Sequence, residues 1–169
     1  MAAVVQTNST LLAQLYGTTP GPLVADYVGD YVARGKEGTV AVTTNDSVNS
    51  QYRFCRVNSA DSIKNLYFGS DALGGTAAVK IGLYEVDSTT AAESTSANEA
   101  LFVSSITLTT AVTPTDERFN TLAGNTIGQR IWELLGLTAD PGKDYDLCAT
   151  LTVVAASNGK LSFRVTYTR

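Results

Sequence analysis

Asp144-Tyr-Asp-Leu-Cys-Ala-Thr-Leu-Thr-Val-Val-Ala-Ala-Ser-Asn-Gly-Lys-Leu-Ser-Phe-Arg-Val-Thr-Tyr-Thr-Arg169 is the stretch that decides the fold class of this chain. Tyr145, Leu147, Ala149, Leu151, Val153 and Ala155 alternate with more polar residues. Leu161, Phe163, Val165 and Tyr167 do the same after Asn158-Gly159. A period of two on both sides of an Asn-Gly pair is the strongest short-range signal for a β-hairpin. A three-residue loop, Ser157-Asn158-Gly159, sets Val153 opposite Phe163, Leu151 opposite Val165 and Ala149 opposite Tyr167. Opposed residues share a face, so this register buries both apolar rows together. It asks Gly159 to take the left-handed conformation, which glycine adopts without strain. A long antiparallel pair with one wet face belongs to a sandwich or barrel wall rather than a parallel sheet.

Working toward the N-terminus, further short segments read as strands: Ala77–Val86, Ile63–Phe68, Tyr52–Val57, Thr39–Val42 and, between the first of these and the helix below, Leu101–Leu108. Turn-forming residues separate them, and with the two terminal strands they make about seven. Asp87–Asn98, rich in Ser, Thr, Ala and Glu, reads as a loop, and Asp116-Glu117-Arg118 after Pro114 as a turn. One helix is predicted late in the chain. Thr126 caps it, Ile127, Ile131, Leu134 and Leu135 form its apolar stripe, and Gly136 ends it. Trp132, the only tryptophan, flanks that stripe and is expected to pack over an end or face of the sandwich.

Residues 1–35 read as an N-terminal arm, and residues 36–169 as a β-sandwich domain. Leu11, Leu12, Leu15 and Tyr16 make an apolar cluster before the breaker Gly17–Pro22. Pro22–Arg34 carries Leu23, Val24, Tyr27, Val28, Tyr31 and Val32 at helical spacing; it reads as a short helix or an extended arm. The fold expected is mainly β: an antiparallel β-sandwich or jelly roll with one late helix and an N-terminal arm.

Composition bounds the chemistry. At 169 residues and 44% hydrophobic, the chain is long enough for one domain with a sizeable core. Its net charge of −4 disfavours a broad nucleic-acid or anionic-membrane surface, so neither is expected as a partner. No segment reads as a signal peptide or a transmembrane span. The absence of histidine removes the commonest general base and metal ligand, and with them any Ser-His-Asp or Cys-His site within the chain.

Cys55 and Cys148 lie in apolar-patterned strands and read as buried free thiols, with a disulfide as the second option. Asp140, Asp144 and Asp146 are close enough in sequence to raise calcium binding, but Lys143 sits among them and they read as a polar turn. Gly29–Lys36 has the wrong spacing for a phosphate loop, and Glu37 follows the lysine. No catalytic residue, metal site or cofactor site is predicted, and the chain is not expected to be an enzyme. Its eight tyrosines favour a binding or assembly role, since tyrosine combines an apolar ring with a polar tip.

Ala78-Val-Lys-Ile-Gly-Leu-Tyr-Glu-Val86, Ile127-Gly-Gln-Arg-Ile-Trp-Glu-Leu-Leu-Gly-Leu137 and the following Pro141-Gly-Lys-Asp-Tyr-Asp146 before a Thr/Val-rich strand resemble small virion proteins of tailed bacteriophages. The nearest type is the capsid decoration, or cement, protein with a β-sandwich or jelly-roll core. The resemblance spans residues 60–169. It implies a virion protein, made in the host cytoplasm, that stabilises a capsid through subunit-bridging contacts. The implied partners are the major capsid protein and further copies of the same chain, as a homo-oligomer. Leu11, Leu12, Leu15, Tyr16, Tyr27 and Tyr31 are then the expected contact residues. The alternative is a carbohydrate- or receptor-binding β-sandwich module of a tail or fibre.

Overall fold

The computed structural model describes residues 33–86, 96–118, 126 and 128–169. They form β1 (Arg34–Val42), β2 (Gln51–Asn58), β3 (Ser62–Ser70), β4 (Ala78–Glu85), β5 (Ser96–Thr107), β6 (Val112–Asp116), β7 (Asp144–Val153) and β8 (Gly159–Thr168). A helical turn, α1 (Ile131–Leu134), precedes β7, and Glu117 and Arg118 just after β6 are helical as well. The strands make two four-stranded sheets, in the orders β1-β8-β3-β6 and β2-β7-β4-β5. Every pairing is antiparallel. β1 lies beside β8, β2 beside β7, β3 beside β6 and β4 beside β5. The chain is thus one long antiparallel hairpin, doubled back between β4 and β5 and rolled so that successive rungs fall in facing sheets. That connectivity is the jelly roll.

The terminal hairpin expected from the sequence does not form. β7 pairs with β2 and β4, whereas β8 pairs with β1 and β3 in the opposite sheet. The alternation holds for Tyr145–Leu151 and Leu161–Tyr167, but Val153 is exposed, the other face of β7 is covered rather than wet (Asp146, Cys148 and Thr150 are buried), and the expected pairing is absent. Tyr145, Leu147, Ala149 and Leu151 enter the core from one sheet, and Leu161, Phe163, Val165 and Tyr167 from the other. Two facing sheets bury both rows as well as one hairpin face does.

The connecting residues are held by tertiary bonds instead of a hairpin turn. The Ala156 and Ser157 N–H groups both donate to the Leu73 carbonyl at 2.9 Å. Ser157 Oγ donates to the Ala72 carbonyl, and Asn158 Oδ1 accepts from the Thr44 N–H at 2.9 Å. Gly159 is not left-handed. It is required for close approach, because a Cβ there would lie 2.6 Å from Leu73 Cδ2.

Three other expectations need correction. The strands among the described residues number eight, because β6 was missed: Pro114 and its exposed polar neighbours hide it. Arg34, assigned to an N-terminal segment, opens β1, which is twice as long as its apolar end suggests. Thr126 does not cap the helix, which is only four residues long and starts after Arg130. The reason is that the first α1 amides serve the β2–β3 turn. Ile131 N–H donates to the Asp61 carbonyl (2.9 Å) and Trp132 N–H to the Ser59 carbonyl (3.1 Å). Glu133 Oε2 accepts the Arg130 N–H, and Gly136 ends the turn with a φ of 71°. Ile131 is buried, and α1 thereby closes one end of the sandwich. Ile127 and residues 1–32 lie outside the described residues.

The core is aromatic at its centre. Phe163 of β8 stacks on Phe54 of β2 with centroids 4.6 Å apart, and Phe54 meets Phe68 of β3 at 6.2 Å. These rings join the two sheets. Gly38 makes room for them, since a Cβ there would meet the Phe163 ring at 3.1 Å.

The turn between β1 and β2 is organised by Asp46. Its carboxylate accepts from the Thr43 N–H (2.9 Å), the Thr43 hydroxyl (2.9 Å) and the Tyr52 hydroxyl (2.8 Å). The Thr43 amide first, then the two hydroxyls, hold its pKa below the ordinary carboxylate value, against a smaller opposing effect of burial. A depressed folded-state pKa adds stability that is present above the unfolded value of about 4 and is lost as pH falls below it. Asp46→Asn should therefore lower the urea midpoint at neutral pH and flatten its fall below pH about 4. Identical acid limbs for the two proteins would contradict this.

Candidate assembly surface

The outer face of the β1-β8-β3-β6 sheet carries an open groove of about 570 Å³. Its rungs follow from strand register. Glu37, Arg164, Tyr67 and Asp116 lie side by side across all four strands. Thr39, Ser162 and Gly69 form the next rung on the same face. Alternation puts these residues outward because their neighbours Phe163 and Phe68 point into the core. Gly69 leaves space that Pro114 fills, and a Cβ there would sit 3.0 Å from Pro114 Cγ. The floor is therefore the Tyr67 ring, 39% exposed, with Pro114 beside it. Arg164 Nε and Glu37 Oε2, 2.9 Å apart, form an exposed ion pair at the β1 side. A surface ion pair of this kind adds little stability and leaves both groups available to a partner.

The groove joins an apolar floor to hydroxyls and a charged pair. It suits the recognition of another protein's surface or a polar ligand. Its lining has no nucleophile paired with a base.

The acids considered for calcium separate into different structural jobs. Asp140 accepts hydrogen bonds from Ser59 Oγ and the Gly142 N–H, Asp144 from Asn58 Nδ2, and Asp146 from Arg56 Nε at 3.0 Å. Arg53 lies 3.9 Å from the other Asp146 oxygen. Among the described residues, no three His, Cys, Asp or Glu side chains are grouped to hold a metal ion. Nor is any described helix long and apolar enough to cross a membrane.

Asp116-Glu117-Arg118, read from the sequence as a turn, instead ends β6 and turns helical, and Arg118 is fully buried. Its Nε donates to the Ile63 carbonyl (3.1 Å) and its Nη2 to the Thr126 carbonyl (2.6 Å), tying β3 to the segment ahead of α1. Burial lowers its pKa, with the nearby Asp116 charge acting in the opposite sense.

Cys55 and Cys148 are free thiols on adjacent strands. Burial pushes Cys148 up to about 12, with Asp146 adding to the shift. Burial likewise raises Cys55 to about 11, partly offset by Lys36. The thiolate is the reacting species, so native protein at pH about 8 should resist iodoacetamide while urea-unfolded protein is alkylated at both sites. Mass spectrometry of the two samples checks this; rapid native labelling at Cys148 would contradict it.

The expected contact residues Leu11, Leu12, Leu15, Tyr16, Tyr27 and Tyr31 all lie outside the described residues. The groove residues were not singled out from the sequence, apart from Tyr67 as one of the tyrosines. The available signal was the polar row of β8, Ser162 and Arg164, which alternates with its apolar row.

No protein-family model matches the sequence, and no curated protein matches it. Solved structures do match. A chain described as "Capsid of Ralstonia phage GP4" is 7% identical with a TM-score of 0.62, over 83% of this chain and 86% of that one. A chain described as "Cyanophage Pam1 capsid asymmetric unit" is 16% identical with a TM-score of 0.51, over 96% of each chain. At such identities the likeness is one of fold, and this chain shares its β-sandwich fold with those two chains.

Proposed function

We propose that this chain is a structural protein of a bacteriophage capsid, one that decorates the shell and stabilises it by bridging neighbouring subunits. The observation that carries the proposal is the fold shared with two phage-capsid chains, one of them over 96% of both lengths. The outer-sheet groove supports it, because it is open and joins an apolar floor to hydroxyls and an exposed ion pair, features that suit contact with another protein. The proposed role is non-catalytic and cofactor-free. The partner is the major capsid protein, and the protein acts in the virion as a homo-oligomer. Leu11, Leu12, Leu15, Tyr16, Tyr27 and Tyr31 are proposed to add apolar contacts to the shell.

The mechanism is mass action. A protein that binds the assembled lattice and not free subunits shifts the equilibrium toward the lattice. Shells should therefore lose thermal stability when the chain is absent and regain it when purified chain is added back. Shells whose melting is unchanged by addition, with no chain bound, would overturn the proposal. The half-exposed Tyr67 ring beside hydroxyls favours a second function, glycan binding by a tail or fibre module. Saturable binding on a glycan array, abolished by Tyr67→Ala, would favour it.

A further inference from the structure

The four sheet edges are not alike. β2 has a register shift between Arg53 and Cys55. β5 has three register shifts against β4. β6 is five residues long, carries Pro114 and shifts register against β3. Bulges, proline and short length are three of the devices by which proteins blunt open edges; charged side chains, of which β1 has Arg34, Lys36 and Glu37, are another. β1 has no bulge, proline or shortening: it has nine residues and an unbroken register from Arg34–Tyr167 to Val42–Gly159.

The groups that β1 presents follow from the ladder. Leu66 N–H donates at 3.0 Å to Asp116 Oδ1, on the β6 side, and so points away from β8. The Leu66–Val165 pair is therefore a non-bonded rung. A residue that turns its amide and carbonyl away from one neighbour turns them to the other, so Val165 bonds to Lys36, its partner in β1. The Lys160 carbonyl, accepting from Asp71 N–H on the β3 side, has the parity this requires. Lys36, Gly38, Val40 and Val42 thus serve the β8 ladder. Gly35, Glu37, Thr39 and Ala41 turn their N–H and C=O groups to the open edge. All four are exposed, and among the described residues no other backbone group bonds to them.

We propose that this edge is a homodimer interface, in which β1 of a second copy of this chain pairs with it antiparallel about a two-fold axis through Gly38. That axis sets Gly35 against Ala41 of the second copy and Glu37 against Thr39. Every outward amide and carbonyl then meets its complement, and no like charges face each other. The two Gly38 residues meet at the axis, in the closest rung of the ladder, with no side chains to separate them. An axis at Glu37 would oppose two carboxylates, and one at Lys36 two ammonium groups. An axis at Thr39 would leave Gly35 opposite Thr43, beyond the strand. The interface is isologous, as a two-fold contact must be. It gives the proposed homo-oligomer a defined contact, and in that sense rests on the proposal of a shell protein.

Thr39→Pro is the discriminating variant. It removes an amide that faces the edge and leaves the β8 ladder whole, the one placement a strand tolerates for proline. Sedimentation of the full chain should show a concentration-dependent dimer, with amide exchange of residues 34–42 slowing as it forms. Thr39→Pro should weaken dimerisation by at least about tenfold, because each change is made twice across the axis. Thr39→Glu should also weaken it, by facing Glu37 of the second copy, and adding Glu37→Lys should restore it. A wild-type chain that stays monomeric, or a natively folded Thr39→Glu dimer as tight as wild type, would overturn the proposal. Shell binding is scored separately. A monomer that still binds shells rejects edge pairing alone, and a β1-paired dimer that never binds shells rejects the shell role alone.

Discussion

Gly82→Val should abolish the folded state or cost more than about 4 kcal/mol, the range reserved for severe steric or cavity defects. Gly82 sits in β4 between Ile81 and Leu83, which point into the core, so its own missing side chain would face outward. That outward space is occupied by backbone. β5 pairs Val103 with Ile81 but Asn98 with Leu83, and its extra residues cross over Gly82. A Cβ there would lie 2.2 Å from the Asn98 carbonyl oxygen and 2.3 Å from the Glu99 carbonyl carbon. Main chain cannot rotate aside as a long side chain can. Lys80→Ala, on the same face, loses the ion pair with Glu99 and the packing of its largely buried stem but meets no main chain, so it should cost clearly less than Gly82→Val. Urea unfolding followed by circular dichroism measures both; a Gly82→Val protein as stable as wild type would mean that β5 does not cross there.

Phe163→Ala should cost about 3–5 kcal/mol, the usual range for emptying a buried phenylalanine site. Its ring stacks on Phe54 at an interplanar angle of 14° and packs over Gly38. Removing it opens a void where the two sheets meet. Tyr67→Ala is the contrast, because Tyr67 is on the groove side of the same sheet and should change stability by about 0.5 kcal/mol or less. Equal losses for the two variants would show that the inward and outward rows are misassigned.

How legible this was in the sequence differs by level. Alternation in β7 and β8 marked the residues that enter the core, Val153 excepted, because a period of two is a property of each strand alone. It did not reveal which strands pair. Asn158-Gly159 looks like a hairpin turn locally, but the use of its groups is decided by Thr44 and Leu73, far away in sequence. β6 was missed because Pro114 and Asp116 disfavour a strand and its middle residues are exposed, and its pairing with β3 overrides them. The late helix was overextended because its amides are claimed by Ser59 and Asp61, partners that the helical stripe cannot show. The groove was illegible for a similar reason. Glu37, Tyr67, Pro114 and Arg164 come together only through cross-strand register, and none belongs to a motif. The buried Arg118 gave no sequence signal at all; charged residues beside a proline ordinarily mark a solvated turn.

A cryo-EM reconstruction of phage-like particles purified from the source of this chain tests the proposed capsid role most directly. The account predicts a jelly roll on the shell, in symmetric copies that contact more than one capsid subunit, with sheets ordered β1-β8-β3-β6 and β2-β7-β4-β5. Shell density fully explained by other proteins, with this chain absent or confined to the tail, would contradict it.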